Sequence, residues 1–118
     1  KAEFLASGDL FCLPTFYPYE GQPLVLLEAM AAGLPVVSTR HAAIPSTIPD
    51  GAGWLLSPEF TPAELEETLL SALGSPLLKG YGAFAREHYF RNYTLPACHA
   101  RLWEVFESCA EGCGVIPR

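Results

Sequence analysis

Glu20-Gly-Gln-Pro-Leu-Val-Leu-Leu-Glu-Ala-Met-Ala-Ala-Gly-Leu-Pro-Val-Val-Ser-Thr39 is the stretch that decides the fold. Pro23 suits the first turn of a helix, where its missing N–H costs nothing. The residues after it are apolar apart from Glu28, which predicts a helix from Pro23 to about Ala32. Gly33 supplies the left-handed position after the last turn, Leu34 can fold back on that turn, and Pro35 forbids continuation. Val36-Val-Ser-Thr39 then reads as a short strand. Just upstream, Asp9-Leu-Phe-Cys-Leu-Pro14 is a continuous apolar run halted by proline, the pattern of a strand buried on both faces. The two strands with a helix between them make a β-α-β unit, and its strands run parallel.

Working outward, the loop Arg40-His-Ala-Ala-Ile-Pro45 leads into a turn of helix at Ser46 to Ile48. Asp50-Gly51 is a turn, and Gly53-Trp-Leu-Leu56 is a third strand. Thr61-Pro-Ala-Glu64 is a capping box with proline at the first helical position. The helix it starts carries Leu65, Leu69, Leu70 and Leu73 on one face and ends at Gly74. Leu77 to Tyr89 reads as helix, weakened in its first turns by Gly80 and Gly82. Leu95, Cys98, Leu102, Val105, Phe106 and Cys109 recur at a period near 3.6, so a last helix spans Leu95 to Ala110 and Glu111 to Arg118 is a loose tail. Continuous apolar strands alternating with helices call for an α/β fold with a parallel sheet and flanking helices. Three strands are half of a doubly wound sheet of order 3-2-1-4-5-6, and the chain fits its second half. The first strand would then be central in a longer parent sheet. The opening Lys1 to Gly8 reads as helix without its cap, which also fits a piece of a longer chain.

Composition narrows the function. The 118 residues are half hydrophobic, 17% charged, and carry a net charge of −6. That suits one domain with a real core. The seven Lys and Arg are scattered, so the concentrated basic footprint of a nucleic-acid surface is missing and no nucleic-acid partner is expected. No apolar run approaches the roughly 20 residues that span a bilayer. Cys12, Cys98, Cys109 and Cys113 form neither a CxxC pair nor a metal-ligand set with a histidine. Cys12 falls in the first strand and Cys98 and Cys109 on the apolar helix stripe, and reduced thiols in a cytoplasmic protein are expected.

Two carboxylates then stand out. Glu28 sits in an otherwise apolar helix, where an acid is costly unless something pairs with it or binds it. Glu20 precedes the helix start. Ligands of open parallel sheets bind beyond the carboxyl ends of the strands, and the loops 15–21 and 40–45 both lie there. Gly21 allows close backbone approach, and the free N–H groups of Gln22, Leu24 and Val25 at a helix start favour a phosphate. Acids on either side of it would accept hydrogen bonds from hydroxyls. A phosphate between two polyol ends describes a nucleotide-sugar. Spacing alone is uninformative, since Glu59 and Glu67 repeat it at the start of a surface helix. Among the remaining polar residues, His41 and Arg40 stand in the second loop, Tyr17 and Tyr19 can shape a pocket wall, and His88 and His99 read as structural.

The segments Asp9 to Thr15 and Glu20 to Thr39, with Asp50-Gly-Ala-Gly-Trp-Leu-Leu56 and the helices after it, resemble family 4 of the retaining GT-B glycosyltransferases over roughly residues 1 to 110. That family carries a Glu-x7-Glu motif in its C-terminal, Rossmann-like donor domain. The resemblance implies that 1–110 is part of that nucleotide-sugar-binding domain. Glu20 would be the catalytic acid of the motif, at the donor sugar's hydroxyls. Gly21, Gln22, Pro23, Leu24 and Val25 would line sugar and diphosphate, and Glu28 would bind the ribose.

The resemblance further implies transfer of a hexose from a nucleoside-diphosphate sugar to an acceptor hydroxyl with retention. The acceptor (a sugar, lipid or glycan) would be held by an N-terminal domain, toward which the last helix packs, and peripheral membrane association of the whole enzyme is compatible with this. No cofactor is implied. No Asp-x-Asp motif stands ready for a metal, so metal-independence is expected, with the diphosphate also met by upstream basic residues. One departure is plain: where relatives often carry Gly-Gly-x-Pro-Glu, this chain has Ala42-Ala-Ile-Pro-Ser46, and no ligand role passes to Ala42, Ala43 or Ser46. The alternative is a non-catalytic α/β nucleotide-binding or interaction module.

Overall fold

The computed structural model describes residues 1–112. Three strands, β1 (Phe11–Leu13), β2 (Val36–Thr39) and β3 (Gly53–Leu56), form one open sheet of order β1-β2-β3. Both pairings are parallel, with Phe11 opposite Val36 and Val36 opposite Gly53. The described residues also form six helices: α1 (Ala2–Ala6), α2 (Leu24–Ala31), α3 (Ile44–Thr47), α4 (Pro62–Gly74), α5 (Leu78–Asn92) and α6 (Leu95–Gly112). This is the expected α/β architecture, a three-stranded parallel open sheet with flanking helices.

β2 is central and buried along its whole length, as its β-branched sequence requires. Above β1 and β2 lies α2, whose Leu26, Ala29 and Met30 are fully buried and join Val36, Ile44 and Ala85 in one core. The α2 C-terminus closes as its sequence indicates. Gly33 takes φ +81, its N–H bonds to Met30 and the Leu34 N–H to Ala29, the paired pattern of a Schellman motif. At α4 the capping box is complete: the Glu64 N–H donates to Thr61 Oγ1 and the Thr61 N–H to Glu64 Oε2 at 2.7 Å. The Thr61 N–H and, after it, the Thr61 hydroxyl, which donates to the same Oε2 at 2.8 Å, hold the Glu64 carboxyl below its ordinary range.

Several expectations need correction. Pro23 is not the first helical residue; its ψ of 111° is extended and makes it the cap. The single helical turn lies at Ile44–Thr47 rather than at Ser46 to Ile48. Helix α5 runs on to Asn92, past the expected Tyr89, and α6 continues through Gly112, so Glu111 and Gly112 belong to a helix. The rest of the expected loose tail, with Cys113, lies outside the described residues. Cys12 is exposed instead of buried. Phe11 and Leu13 pack on the core, so by strand alternation Cys12 points to the face of this edge strand that no helix covers. On α4, Leu70 and Leu73 are exposed while Leu65, Thr68, Leu69 and Ala72 face inward, a stripe rotated from the expected one.

The largest departure is α6. The helix is present, but Leu95, Leu102, Val105 and Phe106 of its apolar stripe are each more than half exposed. It leans on α5 alone among the strongly packed pairs. The radius of gyration is 17.2 Å, against about 13.5 Å for a compact domain of this length. An arm of 18 residues, about 27 Å long, accounts for the difference. The periodicity shows that a face is apolar without showing what covers it.

Candidate functional site

The carboxyl ends of β1 and β2 deliver two loops, 14–23 and 40–43, to one edge of the sheet. Side chains of β2 fasten the first of them: Ser38 Oγ donates to the Leu13 carbonyl at 2.6 Å, and Thr39 Oγ1 donates to the Thr15 carbonyl. Both β2 side chains are fully buried, so these bonds replace lost hydration and fix the first loop at its root.

Further along, the two loops join directly. The Ala43 N–H reaches the Gly21 carbonyl at 3.4 Å, and Gln22 Nε2 donates to Thr47 Oγ1 at 2.9 Å. His41 Nε2 lies 2.8 Å from the Tyr17 carbonyl. Between His41 and Ala43 the backbone of Ala42 takes φ +49, the left-handed region that costs an L-residue about 1–2 kcal/mol. The loop therefore has a glycine-like path at an alanine. Tyr17 and Tyr19 stand edge to face at 5.7 Å on the outer rim of the first loop, both well exposed.

At the start of α2, Leu26 N–H bonds to the Pro23 carbonyl, so capture of N–H groups begins at the third helical residue. Among the described residues no hydrogen bond takes the N–H of Leu24 or Val25, nor that of Gln22. Glu20, half-buried beside them, has its N–H on the Tyr17 carbonyl at 3.0 Å, and its carboxylate has no hydrogen bond or ion pair among the described residues. A half-buried, unpaired acid therefore stands beside two unused amides at the positive end of a helix. Pro23 is buried and offers a ligand no side chain, whereas Gly21, Gln22 and Leu24 are exposed. The Gln22 amide is already spent on Thr47.

Glu28 faces elsewhere. It lines a cavity of about 610 Å³ between α1, α2 and α5 together with Lys1, Leu5, Arg86 and Tyr89, and none of Glu20 to Val25 borders it. Its side chain is 42% exposed, so the premise of an acid sunk in an apolar helix does not hold. Lys1 Nζ lies 2.5 Å from Glu28 Oε2. That oxygen is itself covered and has no hydrogen bond of good geometry, so the ammonium is near it without being aligned. An ion pair this exposed contributes about 0–1 kcal/mol.

The family of glycosyl transferases group 1 matches residues 1–75 of this chain. The chain belongs to that family. WcaL of Salmonella typhimurium, named for colanic acid biosynthesis as a glycosyltransferase, is 33% identical over 111 residues, covering 88% of this chain and 27% of WcaL. The phosphatidyl-myo-inositol mannosyltransferase of Mycobacterium leprae is 31% identical over 110 residues, covering 93% of this chain and 29% of its own length. The chain thus spans little more than a quarter of these relatives. In three dimensions it is similar to the sucrose-phosphate synthase of Thermosynechococcus elongatus, with a TM-score of 0.75 at 22% identity, covering 92% of this chain and 27% of that one. The expected glycosyltransferase fold is thereby shown.

Sequence reasoning placed both loops, with Glu20 and the start of α2, at one edge, and they lie there. It missed the ties between the loops. His41 and Tyr17 are 24 residues apart and meet through a ring and a carbonyl, which no periodicity encodes. Arg86 and Tyr89 were also missed, because they are scattered polar positions on a helix whose facing is set only by packing. No group of three or more His, Cys, Asp or Glu that could hold a metal occurs among the described residues.

Proposed function

We propose that residues 1–110 supply the part of a nucleotide-sugar-binding domain that meets the sugar and diphosphate of the donor, in a retaining hexosyltransferase of family 4 type. The observation that carries this reading is the unpaired Glu20 carboxylate beside the unused N–H groups of Leu24 and Val25. A diphosphate at that helix start would be held by the N–H groups and favoured by the dipole, without a metal. As the bond from the sugar's C1 to the phosphate oxygen breaks, the charge left on the diphosphate stays at these donors. The acceptor oxygen forms the new bond to C1 on the same face, and the acceptor's hydroxyl proton passes to the departing diphosphate oxygen.

In this reading Glu20 accepts from hydroxyls of the sugar, and Glu28 of the motif accepts from the ribose hydroxyls, reached along α2 toward the cavity that Lys1 and Arg86 line. Gly21, Gln22 and Leu24 lie along the exposed wall between them. The acceptor, a sugar, lipid or glycan, is held by another domain of the full-length enzyme, which works in the cytoplasm and can associate peripherally with the membrane. No helix here is long and apolar enough to cross a membrane.

Calorimetry on the full-length protein tests the assignment. Glu20→Ala is expected to abolish turnover with nucleotide binding retained, and Glu28→Ala to weaken nucleotide binding itself. Wild-type behaviour of both variants would remove the enzymatic reading. The uncovered apolar stripe of α6 favours a second reading, an interaction module without catalysis; turnover by the full-length protein would eliminate it.

A further inference from the structure

The Tyr17 carbonyl is a junction. It accepts the Glu20 backbone N–H at 3.0 Å and also lies 2.8 Å from His41 Nε2. A carbonyl oxygen has two lone pairs and no proton, so the ring nitrogen must be the donor. The imidazolium and the neutral Nε2–H tautomer both meet that need, and the Nδ1–H tautomer does not. Two more bonds grip the same segment on its other side, Ala43 N–H to Gly21 and Gln22 to Thr47. Thr47 is fully buried and donates in turn to the Ala43 carbonyl at 2.8 Å, which anchors this grip in the core. The left-handed Ala42 turns the chain so that the His41 ring and the Ala43 N–H meet the same segment. Glu20 lies between the two points of attachment. Since no partner among the described residues holds its carboxylate, the aim of that side chain is set by its backbone.

We infer that His41 is a positioning residue for Glu20, acting through the shared Tyr17 carbonyl rather than by contact with substrate. The inference rests on the reading of Glu20 as the sugar-facing acid. A displacement of about 1 Å in a reacting constellation can cost on the order of 10²-fold in rate. Loss of the ring's hydrogen bond frees the first loop on one of the two sides of Glu20 where it is held, so the effect falls on turnover more than on donor affinity.

The test uses the full-length protein. In the unmodified protein, ¹⁵N NMR of the His41 ring is expected to show a slowly exchanging proton on Nε2; a proton on Nδ1 alone overturns the inference whatever donor the enzyme takes. In His41→Ala the Glu20 amide is expected to exchange with solvent at least about tenfold faster, and unchanged exchange overturns it. Turnover is scored as release of nucleoside diphosphate from an equimolar mixture of UDP-glucose, UDP-N-acetylglucosamine and GDP-mannose. His41→Ala should lower kcat about 10–100-fold with KM for the donor within about threefold. His41→Gln, whose amide nitrogen can stand where Nε2 does, should recover most of the loss; the shorter His41→Asn should not. Equal loss in His41→Gln and His41→Ala overturns the positioning role. Glu20→Gln runs beside these variants. If it abolishes turnover while His41→Ala changes nothing, the site reading stands and the His41 inference falls. If Glu20→Gln leaves turnover intact, the site reading has failed and takes the inference with it.

Discussion

Replacing Gly82 by alanine puts a methyl carbon 2.2 Å from the Gly33 carbonyl oxygen, 3.3 Å from the Gly33 carbonyl carbon and 3.2 Å from Pro35 Cδ. Two of those atoms are backbone, held by the Schellman turn, and Pro35 leads straight into β2; none can rotate aside. Relief therefore requires α5 to back away from α2 by about 1 Å, opening the seam that buries Ala85 and half-buries Tyr89. Overpacking of this kind costs about 1–3 kcal/mol, and the immovable partners put this case at the upper end. Alanine in a helix recovers about 1 kcal/mol over glycine, leaving a net loss of about 2 kcal/mol. Gly80, two residues earlier on the same helix, has nothing within 4 Å of an added Cβ, so Gly80→Ala keeps the propensity gain and should stabilise by about 0.5–1 kcal/mol. Urea titration followed by Trp54 fluorescence reports on the right place, because Trp54 stacks on Tyr81 at 4.8 Å. Trp103→Phe removes the competing indole on α6. With a slope of about 1.5 kcal/mol per M, the midpoint should fall by roughly 1.3 M for Gly82→Ala and rise by roughly 0.5 M for Gly80→Ala. Equal shifts of one sign would refute the close approach of α5 to the turn after α2.

Other expectations follow from single residues. Ala42→Gly removes the left-handed strain at φ +49 and, after the extra flexibility of the unfolded chain is subtracted, should raise stability by about 0.5–1 kcal/mol in the same titration. Lys1→Met should change stability by less than about 1 kcal/mol, because the paired side chains of Lys1 and Glu28 are 65% and 42% exposed. The His88 imidazole is held below its ordinary pKa, first by burial and then by the nearby Arg101 and Arg91 charges, while Asn92 Nδ2 donates to its Nδ1. The unfolded chain therefore takes up the proton first as pH falls through about 6.5, and stability should drop between pH 7.5 and 5.5. His88→Gln should flatten that slope, measured by urea midpoints across the range. Glu64, with its pKa lowered by the Thr61 donors, contributes stability above the unfolded carboxyl's pKa and loses it as pH falls through the folded value, so Glu64→Gln should flatten the acid limb of the same profile.

What could be read from the residues and what could not divides by range. Thr61 to Glu64 and Ala32 to Pro35 are local codes, complete within four residues, and the structure reproduces both. The strands were legible because β-branched and apolar runs between turn residues have few other uses. Gly82 was misread as a weak helix position, since propensity is a local quantity and its reason here is a backbone 49 residues away in sequence. The stripe on α6 was legible as a helix face but not as an uncovered one. Cys12 was assigned to the interior because an apolar run does not reveal which strand face lacks a helix. At the site, Glu20 and the start of α2 followed from loop and helix logic. The convergence of His41, Tyr17 and Glu20 depends on how two loops settle against each other, and the surroundings of Glu28 depend on where α1 and α5 stand.

The central claim is that the start of α2 receives the donor's diphosphate. Amide hydrogen exchange of the full-length protein, with and without its nucleoside-diphosphate sugar, reads that claim at the atoms concerned. The N–H groups of Leu24 and Val25, which have no acceptor among the described residues, should pass from rapid exchange to protection by at least about tenfold as phosphate oxygens take them up. Saturation with donor that leaves both amides exchanging at their free rate would contradict the account.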